Sequence, residues 1–598
     1  MGTVPLRRNR YRQLAQLSQL RGGGLLRGLC WCLCGSLLLL PQPGLCADGE
    51  YEHAVVAADH ALASAAGLRI LREGGNVVDA AVATSFALAV VRPASCGVGG
   101  GGFMVIWDAE RQQSVALDYR ERAPAAATAE MFIRQQQIDG DEPLSVRGGL
   151  ACGIPGTVAG LCLANARYGR LPLQQVLQPA IELCEAGAAV DPHDLEVQRS
   201  ALNRYRQHPD YAVRFAELRR QYLNEGTTWP DRGVIRSPLG PLLRLIAEQG
   251  PGAFYAGPVA AAIGRTVQQA GGVMTAADLE GYQPTVREPL QGQFHGRQIY
   301  TMPPPSSGGV ALLQTLQTLE AWERKNQSSL RELGHNSAAY IHVVAEALKH
   351  AFADRAEFLG DSDYVDVPLS RLLDVKYAEQ MAERIIPGWV HRPVEYGRFF
   401  LQPDGGTSHF SVMDAAGNAV ACTETINLTF GSFVVVPEYG ILLNNEMDDF
   451  AAEPGKPNAF GLMQSAQNAV AAGKRPLSSM TPLIAVQDGR AVLSCGASGG
   501  PRIITATLQQ LLNRELFGMS SADAVAAARF HHQWFPNELL LEQGIGQEQA
   551  AGLAGWGHQL RRSSGLAATQ GTALLAGDRQ KLLLGGSDPR KYGEPAGY

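Results

Sequence analysis

The sequence predicts an α+β fold in which helices and sheets pack in layers shared by both ends of the chain. Three observations lead there. Segments with helical periodicity, broken by Pro and Gly, dominate from about residue 150 to 400. From about residue 407 the texture changes to alternating strands with tight turns, and a few helices return after 500. No internal repeat or low-complexity linker divides the chain, so its parts read as layers of one body. At 598 residues the length allows several domains or one large layered enzyme. With 45% hydrophobic and 18% charged residues the chain is globular rather than disordered. Lys plus Arg number 51 against 57 Asp plus Glu, a formal charge of −6, which gives no general attraction to nucleic acid or anionic lipid.

The elements follow in order. Arg7, Arg8, Arg10 and Arg12 precede an apolar stretch of 13 residues, Gly28 to Leu40. That is too short for an ordinary membrane span and right for the core of a signal peptide. The expected signal is residues 1–47, cut after Ala47, with Leu45 an imperfect fit at the −3 position; the alternative is an uncleaved anchor. The body is expected to be exported and, after signal removal, free of the membrane. Four of the ten cysteines lie in this segment. Cys96, Cys152, Cys162, Cys184, Cys422 and Cys495 are scattered without C-x-x-C spacing, which fits neither a zinc site nor a disulfide framework. They read as buried small residues, with a single bridge left open.

A helix is expected from Asp59, as N-cap, to Glu73, ending at Gly74-Gly75. A second, Val78 to Val91, stops before Pro93. Gly97 to Gly102 formally contains G-x-G-x-x-G and precedes a strand, Phe103 to Trp107. A dinucleotide site needs a strand before the glycines and a helix after them, so this run reads as a turn where backbone packs closely.

The most informative segment is a hairpin. Thr407 to Met413 alternates with period two, Asp414 to Asn418 is a turn, and Ala419 to Asn427 returns. Pairing Met413 with Ala419 sets Thr407 opposite Thr425, within hydroxyl reach. Thr423, Thr425 and Asn427 then share the face of Thr407, although a slip of one residue would undo this. Threonine is a weak nucleophile and no Ser-His-Asp spacing is evident. A threonine at a free chain N-terminus can use its own α-amine as base, which here requires a cut after Gly405-Gly406.

Together with Arg72–Ala81, Gly99–Phe103, Gly153–Val158, Thr407–Ser411, Leu442–Phe450, Lys474–Met480, Gly499–Ile504 and Arg529–Trp534, this hairpin resembles the γ-glutamyltransferase (γ-glutamyltranspeptidase) family of N-terminal-nucleophile hydrolases. The resemblance runs from about His53 to Tyr598. It implies a four-layer αββα sandwich built from two autoprocessed subunits, residues 48–406 and 407–598, which stay together as a heterodimer. It implies cleavage between Gly406 and Thr407 and a catalytic Thr407. Glutathione and other γ-glutamyl compounds would be donors, water, amino acids or dipeptides acceptors, with no metal or organic cofactor. Arg120 would bind the substrate α-carboxylate, with Ser478 and Ser479 as further donors. Asn427, Glu446 and Asp449 would receive the α-ammonium. Backbone N–H groups of Gly499 and Gly500 would form the oxyanion hole, and Thr425 would bond the nucleophile.

Each residue also has a plainer reading. Arg120 suits a surface ion pair, Asp448-Asp449 a helix cap or metal-binding carboxylates, and Ser478-Ser479 a helix cap. Adjacent His531 and His532 suggest a metal, yet they point apart and lack a third ligand. Residues 454–473 resemble the lid of bacterial members, which suggests a periplasmic home, and there Phe460 replaces the usual tyrosine. The rival functions are a glutaryl or cephalosporin acylase of the same fold and an exported binding protein without turnover.

Overall fold

A computed structural model describes residues 49–132, 142–395, 407–451, 464–565, 569–576 and 582–598, with only the backbone described over 569–576. The expected signal 1–47, Gly406 and Phe460 lie outside the described residues.

Two seven-stranded antiparallel sheets form the centre. The first runs, edge to edge, Pro595–Gly597, Ala54–Ala57, Ser408–Asp414, Ala419–Thr425, Gly101–Asp108, Gln113–Asp118 and Thr285–Arg287. The second runs Gly49–Tyr51, Leu582–Ser587, Thr569–Ala576, Arg490–Ala497, Leu483–Gln487, Arg297–Thr301 and Leu290–Phe294. Each mixes strands from before and after residue 407, as the layered reading expects. Val55, Val105, Trp107, Met413 and Ala421 of the first sheet pack on Tyr300, Ile484, Val486 and Leu583 of the second. Trp107 and Tyr300 stack with centroids 5.1 Å apart. Truncating Met413, fully buried here, would cost about 2–5 kcal/mol.

Helices close both outer faces. Ala61–Arg72 and Val77–Val91 lie on the first sheet, and Gly308–Asn326 and Arg502–Phe517 on the second. The order of layers is therefore helix, sheet, sheet, helix. Val77–Val91 sits between sheet and further helices, and all of its residues are buried. That explains a segment apolar on every side.

Three details correct the sequence reading. The first helix is capped by His60, whose Nδ1 accepts from Leu62 N at 3.1 Å, and not by Asp59. Asp59 turns inward and meets Lys591. The second helix begins at Val77, because Asn76 and Asp79 close a capping box around its first turn. The middle of the chain also contributes a hairpin to the second sheet, Leu290–Phe294 and Arg297–Thr301. Its two-residue turn, His295-Gly296, has φ of 47° and 81°, and paired positive values suit the right-handed twist of a hairpin.

The glycine run is a close approach, as read. A Cβ on Gly99 or Gly100 would lie 2.1 Å from the carbonyl of Leu442 or Thr425 respectively. All six described cysteines are buried and free, so the bridge left open is absent among them. No helix among the described residues is long and apolar enough to cross a membrane.

Candidate active site

The hairpin adopts the expected register. Met413 pairs with Ala419 and Ser408 with Glu424, and the turn closes through Asp414 N–H to the Asn418 carbonyl at 3.1 Å. Thr407 and Thr425 bring their Oγ1 atoms to 3.3 Å. Strand alternation separates the two faces of the hairpin. Phe410, Val412, Val420 and Cys422 face the helices, while Met413, Ala419 and Ala421 face the second sheet. The odd-numbered Thr407, Thr423 and Thr425 therefore look into the interior between the sheets.

Beyond Thr425 the chain bends sharply, with Asn427 at φ 72°. The bend returns the Asn427 N–H to Thr425 Oγ1 at 2.8 Å. The Thr425 hydroxyl thus bridges that N–H and Thr407 Oγ1. Asn427 Nδ2 donates to the Asn445 carbonyl at 2.9 Å, next to Glu446. Asn427 thus ties the threonine pair, through its backbone N–H, to the segment that carries Glu446, through its side chain.

Arg120 follows the Gln113–Asp118 strand and is 1% exposed, so the surface ion-pair reading does not hold. Its guanidinium bonds Glu446 Oε1, Asp449 Oδ2 at 2.5 Å and the Pro476 carbonyl at 3.2 Å, and lies 3.8 Å from Glu121 Oε2. Glu446–Asp449 form one 3-10 turn. Asp448 is not part of the pair facing Arg120, because it accepts from Ser145 Oγ at 2.7 Å. Burial raises the pKa of Glu121, Glu446 and Asp449, and the Arg120 charge opposes that rise. More carboxyls than guanidiniums are buried here, so the cluster retains protons that isolated carboxylates would lose. Asn427 Oδ1 and Glu446 Oε2 are buried acceptors without a hydrogen-bond donor.

Ser478 and Ser479 are 1% and 7% exposed, on the segment whose carbonyls hold Arg120. Neither caps a helix: Ser478 Oγ accepts from Met480 N at 3.1 Å. Gly499 and Gly500 take φ of 115° and 57°, values that favour glycine. Their carbonyls accept from Arg502 and Ile503 as the Arg502–Phe517 helix begins. Their amides therefore sit at the positive end of a helix dipole.

His409, two residues from Thr407, is the nearest histidine in sequence. Burial pulls it down to about 3, and its ring bonds Thr423 and Ser411. It is a neutral structural residue and not a base. His531 bonds Thr505 and Gln533, and His532 accepts from the Trp534 N–H, which answers the metal reading of that pair. His342, Glu346 and His558 do cluster, but His342 bonds His558 at 2.9 Å and Glu346 bonds the Lys349 ammonium at 2.6 Å.

Sequence reasoning missed two cations. Arg355 donates to Ser307 Oγ at 2.8 Å, has both terminal nitrogens buried without an acceptor, and feels the charge of Asp449. Burial draws it down to about 10. Lys591 reaches the Thr407 carbonyl. An arginine or lysine inside a helical or terminal segment carries no local signal of such contacts.

Facing sheets between helices, with a buried threonine immediately before a central strand, give this chain the fold of the N-terminal-nucleophile hydrolases to which it is similar. A solved cephalosporin acylase from Bacillus halodurans is similar over 95% of this chain and 99% of its own, with TM-score 0.81 and 25% identity. A solved γ-glutamyltranspeptidase chain from Helicobacter pylori covers 59% of this chain and 94% of its own, with TM-score 0.50 and 36% identity. In sequence, the glutathione hydrolase proenzyme of Escherichia coli K12 is 41% identical over 92% of both chains. That of Pseudomonas aeruginosa is 42% identical over 79% of this chain and 81% of its own. Residues 63–598 match the sequence profile of the gamma-glutamyltranspeptidase family, and the chain belongs to that family.

Proposed function

We propose that the chain is a self-cleaving γ-glutamyltransferase and glutathione hydrolase whose nucleophile is Thr407. The Thr407 hydroxyl attacks the Gly406 carbonyl. The acyl group moves from nitrogen to oxygen, and water hydrolyses the ester, leaving subunits 48–406 and 407–598 folded together. In turnover the same hydroxyl attacks the γ-amide carbonyl of glutathione or a related γ-glutamyl compound, and the Thr407 α-amine takes its proton. The tetrahedral oxyanion lies on the Gly499 and Gly500 N–H groups. The leaving amine takes the proton and departs. Water, or an amino acid or dipeptide amine, then attacks the γ-glutamyl ester and restores the threonine.

The observation that carries this reading is the Asn427 link between reaction centre and pocket. Its N–H bonds Thr425, which touches Thr407, and its side-chain amide bonds the carbonyl of Asn445, the residue before Glu446. The pocket has both signs that a free amino-acid end requires. Arg120, with Ser478 and Ser479, suits the α-carboxylate; Asn427, Glu446 and Asp449 suit the α-ammonium. The donor-free Asn427 Oδ1 and Glu446 Oε2 support the latter assignment. A glutaryl side chain lacks that ammonium, which favours γ-glutamyl over glutaryl substrates despite the acylase-like backbone. The apolar stretch after the arginines supports export, with a periplasmic or secreted mature enzyme.

Intact masses under denaturing conditions test the maturation. Two chains, the smaller beginning at Thr407, are expected for the wild type, and one for Thr407→Ala. Turnover of a γ-glutamyl anilide with little turnover of the glutaryl anilide is expected. The reverse preference would make the enzyme an acylase, and correct cleavage with turnover of neither would make it a binding protein.

A further inference from the structure

Asp59 does not cap the helix that follows it, and its actual partner lies at the far end of the sequence. Lys591 Nζ donates to Asp59 Oδ2 at 2.9 Å and to the main-chain carbonyl of Thr407 at 2.5 Å. Asp59 is fully buried and the Lys591 side chain is 14% exposed. The lysine is itself firmly placed. It ends a 3-10 turn, Pro589–Lys591, capped by Asp588, and Arg529 holds Asp588 at 2.6 Å. Arg92 donates to the Lys591 carbonyl at 3.3 Å. Just beyond, Pro595–Gly597 pairs with Ala54–Ala57, the strand that leads to Asp59.

We infer that Lys591, anchored by Asp59, is a positioning residue for Thr407, gripping its carbonyl and setting a positive charge beside its α-amine. The inference rests on the nucleophile role proposed above. Once the chain is cut, Thr407 has no preceding residue to hold it. Its hydroxyl and amine both project from a main chain fixed by its own groups, and a charge-assisted bond to its carbonyl is a strong tether. Carbonyl and amine belong to one residue, so the ammonium also sits within a few ångströms of the base. A like charge at that range disfavours the protonated amine and keeps it available to accept a proton.

Other ionisable groups lie around Thr407 and Lys591. His193 feels the Lys591 charge, and burial draws it down to about 3, so it stays neutral over the working range. Asp59, behind the lysine, offsets part of its charge. Glu424, opposite Ser408 on the neighbouring strand, is bonded by Ser85 and Tyr119 on the helix-facing side. Cys96, beside Ser408, has its thiol pushed up by burial and stays neutral. Arg92 is paired with Asp191 and Asp194, and His409 is neutral and bonded on its own strand. Among the described residues, Lys591 is a cation in direct contact with the main chain of Thr407.

The test uses mature enzyme bearing Lys591→Met, Lys591→Arg or Asp59→Asn, with mature wild type and the uncut Thr407→Ala chain as references. Turnover of a γ-glutamyl anilide is followed from about pH 5 to pH 9, a range that brackets an α-amine. For Lys591→Met, kcat should fall by about tenfold or more at nearly constant KM. The acidic limb of kcat/KM should move by roughly half a pH unit or more toward higher pH. Lys591→Arg should restore most of both. A merely structural lysine would alter yield or melting but leave the limb in place. A Lys591→Met enzyme within about twofold of wild type in kcat, with the limb unmoved, overturns the inference. Should that variant fail to fold, Asp59→Asn reads the same step, since it frees the ammonium from its anchor: reduced kcat at constant KM supports the inference and unchanged kcat overturns it. Turnover surviving in Thr407→Ala would instead refute the nucleophile assignment, so the two failures are distinguishable.

Discussion

Around the Thr407 hydroxyl, the buried hydrogen bonds are neutral: the Asn427 backbone N–H, the Thr425 hydroxyl, then Thr407 itself. At Arg120 the buried contacts involve charge, with one guanidinium bonded to two carboxyl groups and a third 3.8 Å away. The difference follows the work proposed for each region. A nucleophile needs a reactive oxygen placed to within tenths of an ångström, and uncharged hydrogen bonds in a strand register supply that at small desolvation cost. Holding a zwitterion needs both signs, and buried charges are worth their desolvation only when paired. Substitutions near Thr407 should therefore act on kcat, and substitutions near Arg120 on KM and folding.

The sharpest way to break this division is Thr407→Ala. It should remove self-cleavage and lower turnover by at least about 10³-fold, as expected when a nucleophile is deleted. Residual turnover comparable to wild type would move the reaction centre elsewhere. Next in size is Arg120→Gln. It removes the charge-assisted bonds to the substrate carboxylate, so KM should rise by about 10²-fold. It also strands buried carboxylates, which should cost about 3–5 kcal/mol of stability. A variant with normal KM and reduced kcat would dissolve the distinction between the two regions. Thr425→Val keeps the volume and removes both the bond to Thr407 Oγ1 and the acceptor for the Asn427 N–H; the loss at Thr407, worth roughly 1 kcal/mol, should lower kcat by about five- to tenfold with KM unchanged.

The same contrast explains what was legible in the sequence. Period-two alternation and a five-residue turn were enough to place Thr407 against Thr425, because a hairpin register is a local property. The outer helices were legible for a similar reason, down to errors of one or two residues at caps such as His60 and Asn76. The charged pocket has no local pattern. Arg120, Glu446 and Asp449 meet through strand ends and loops more than 300 residues apart, as the 326-residue separation of Arg120 and Glu446 shows. Family resemblance nominated those residues; spacing alone left Arg120 on the surface. Arg355 and Lys591 escaped both routes, since their contacts depend on helix packing and on the C-terminal strand closing against Ala54–Ala57.

The mildest prediction concerns the helix-facing side of the hairpin, at Glu424. Its carboxyl is buried between Ser85 Oγ at 2.6 Å and Tyr119 OH at 2.9 Å. Burial raises it from 4.5 to about 7, and those hydrogen bonds only partly oppose the rise. In the unfolded chain the same group titrates near its ordinary value. The folded state therefore binds the proton more tightly, and its stability contribution is fully present below about pH 4.5 and lost as pH rises through about 7. At 1.36 kcal/mol per pKa unit, that difference corresponds to about 3 kcal/mol. Glu424→Gln mimics the neutral acid and retains an acceptor and a donor for its two neighbours, so it should not lose this contribution. Both proteins are best compared in the uncut Thr407→Ala form, so that each melts as one chain. Between about pH 5 and pH 8 the melting temperature of the parent should fall more steeply than that of the Gln variant. Parallel curves would mean that Glu424 is ionised throughout, and that the helix-facing side of the hairpin carries a buried charge like the Arg120 pocket.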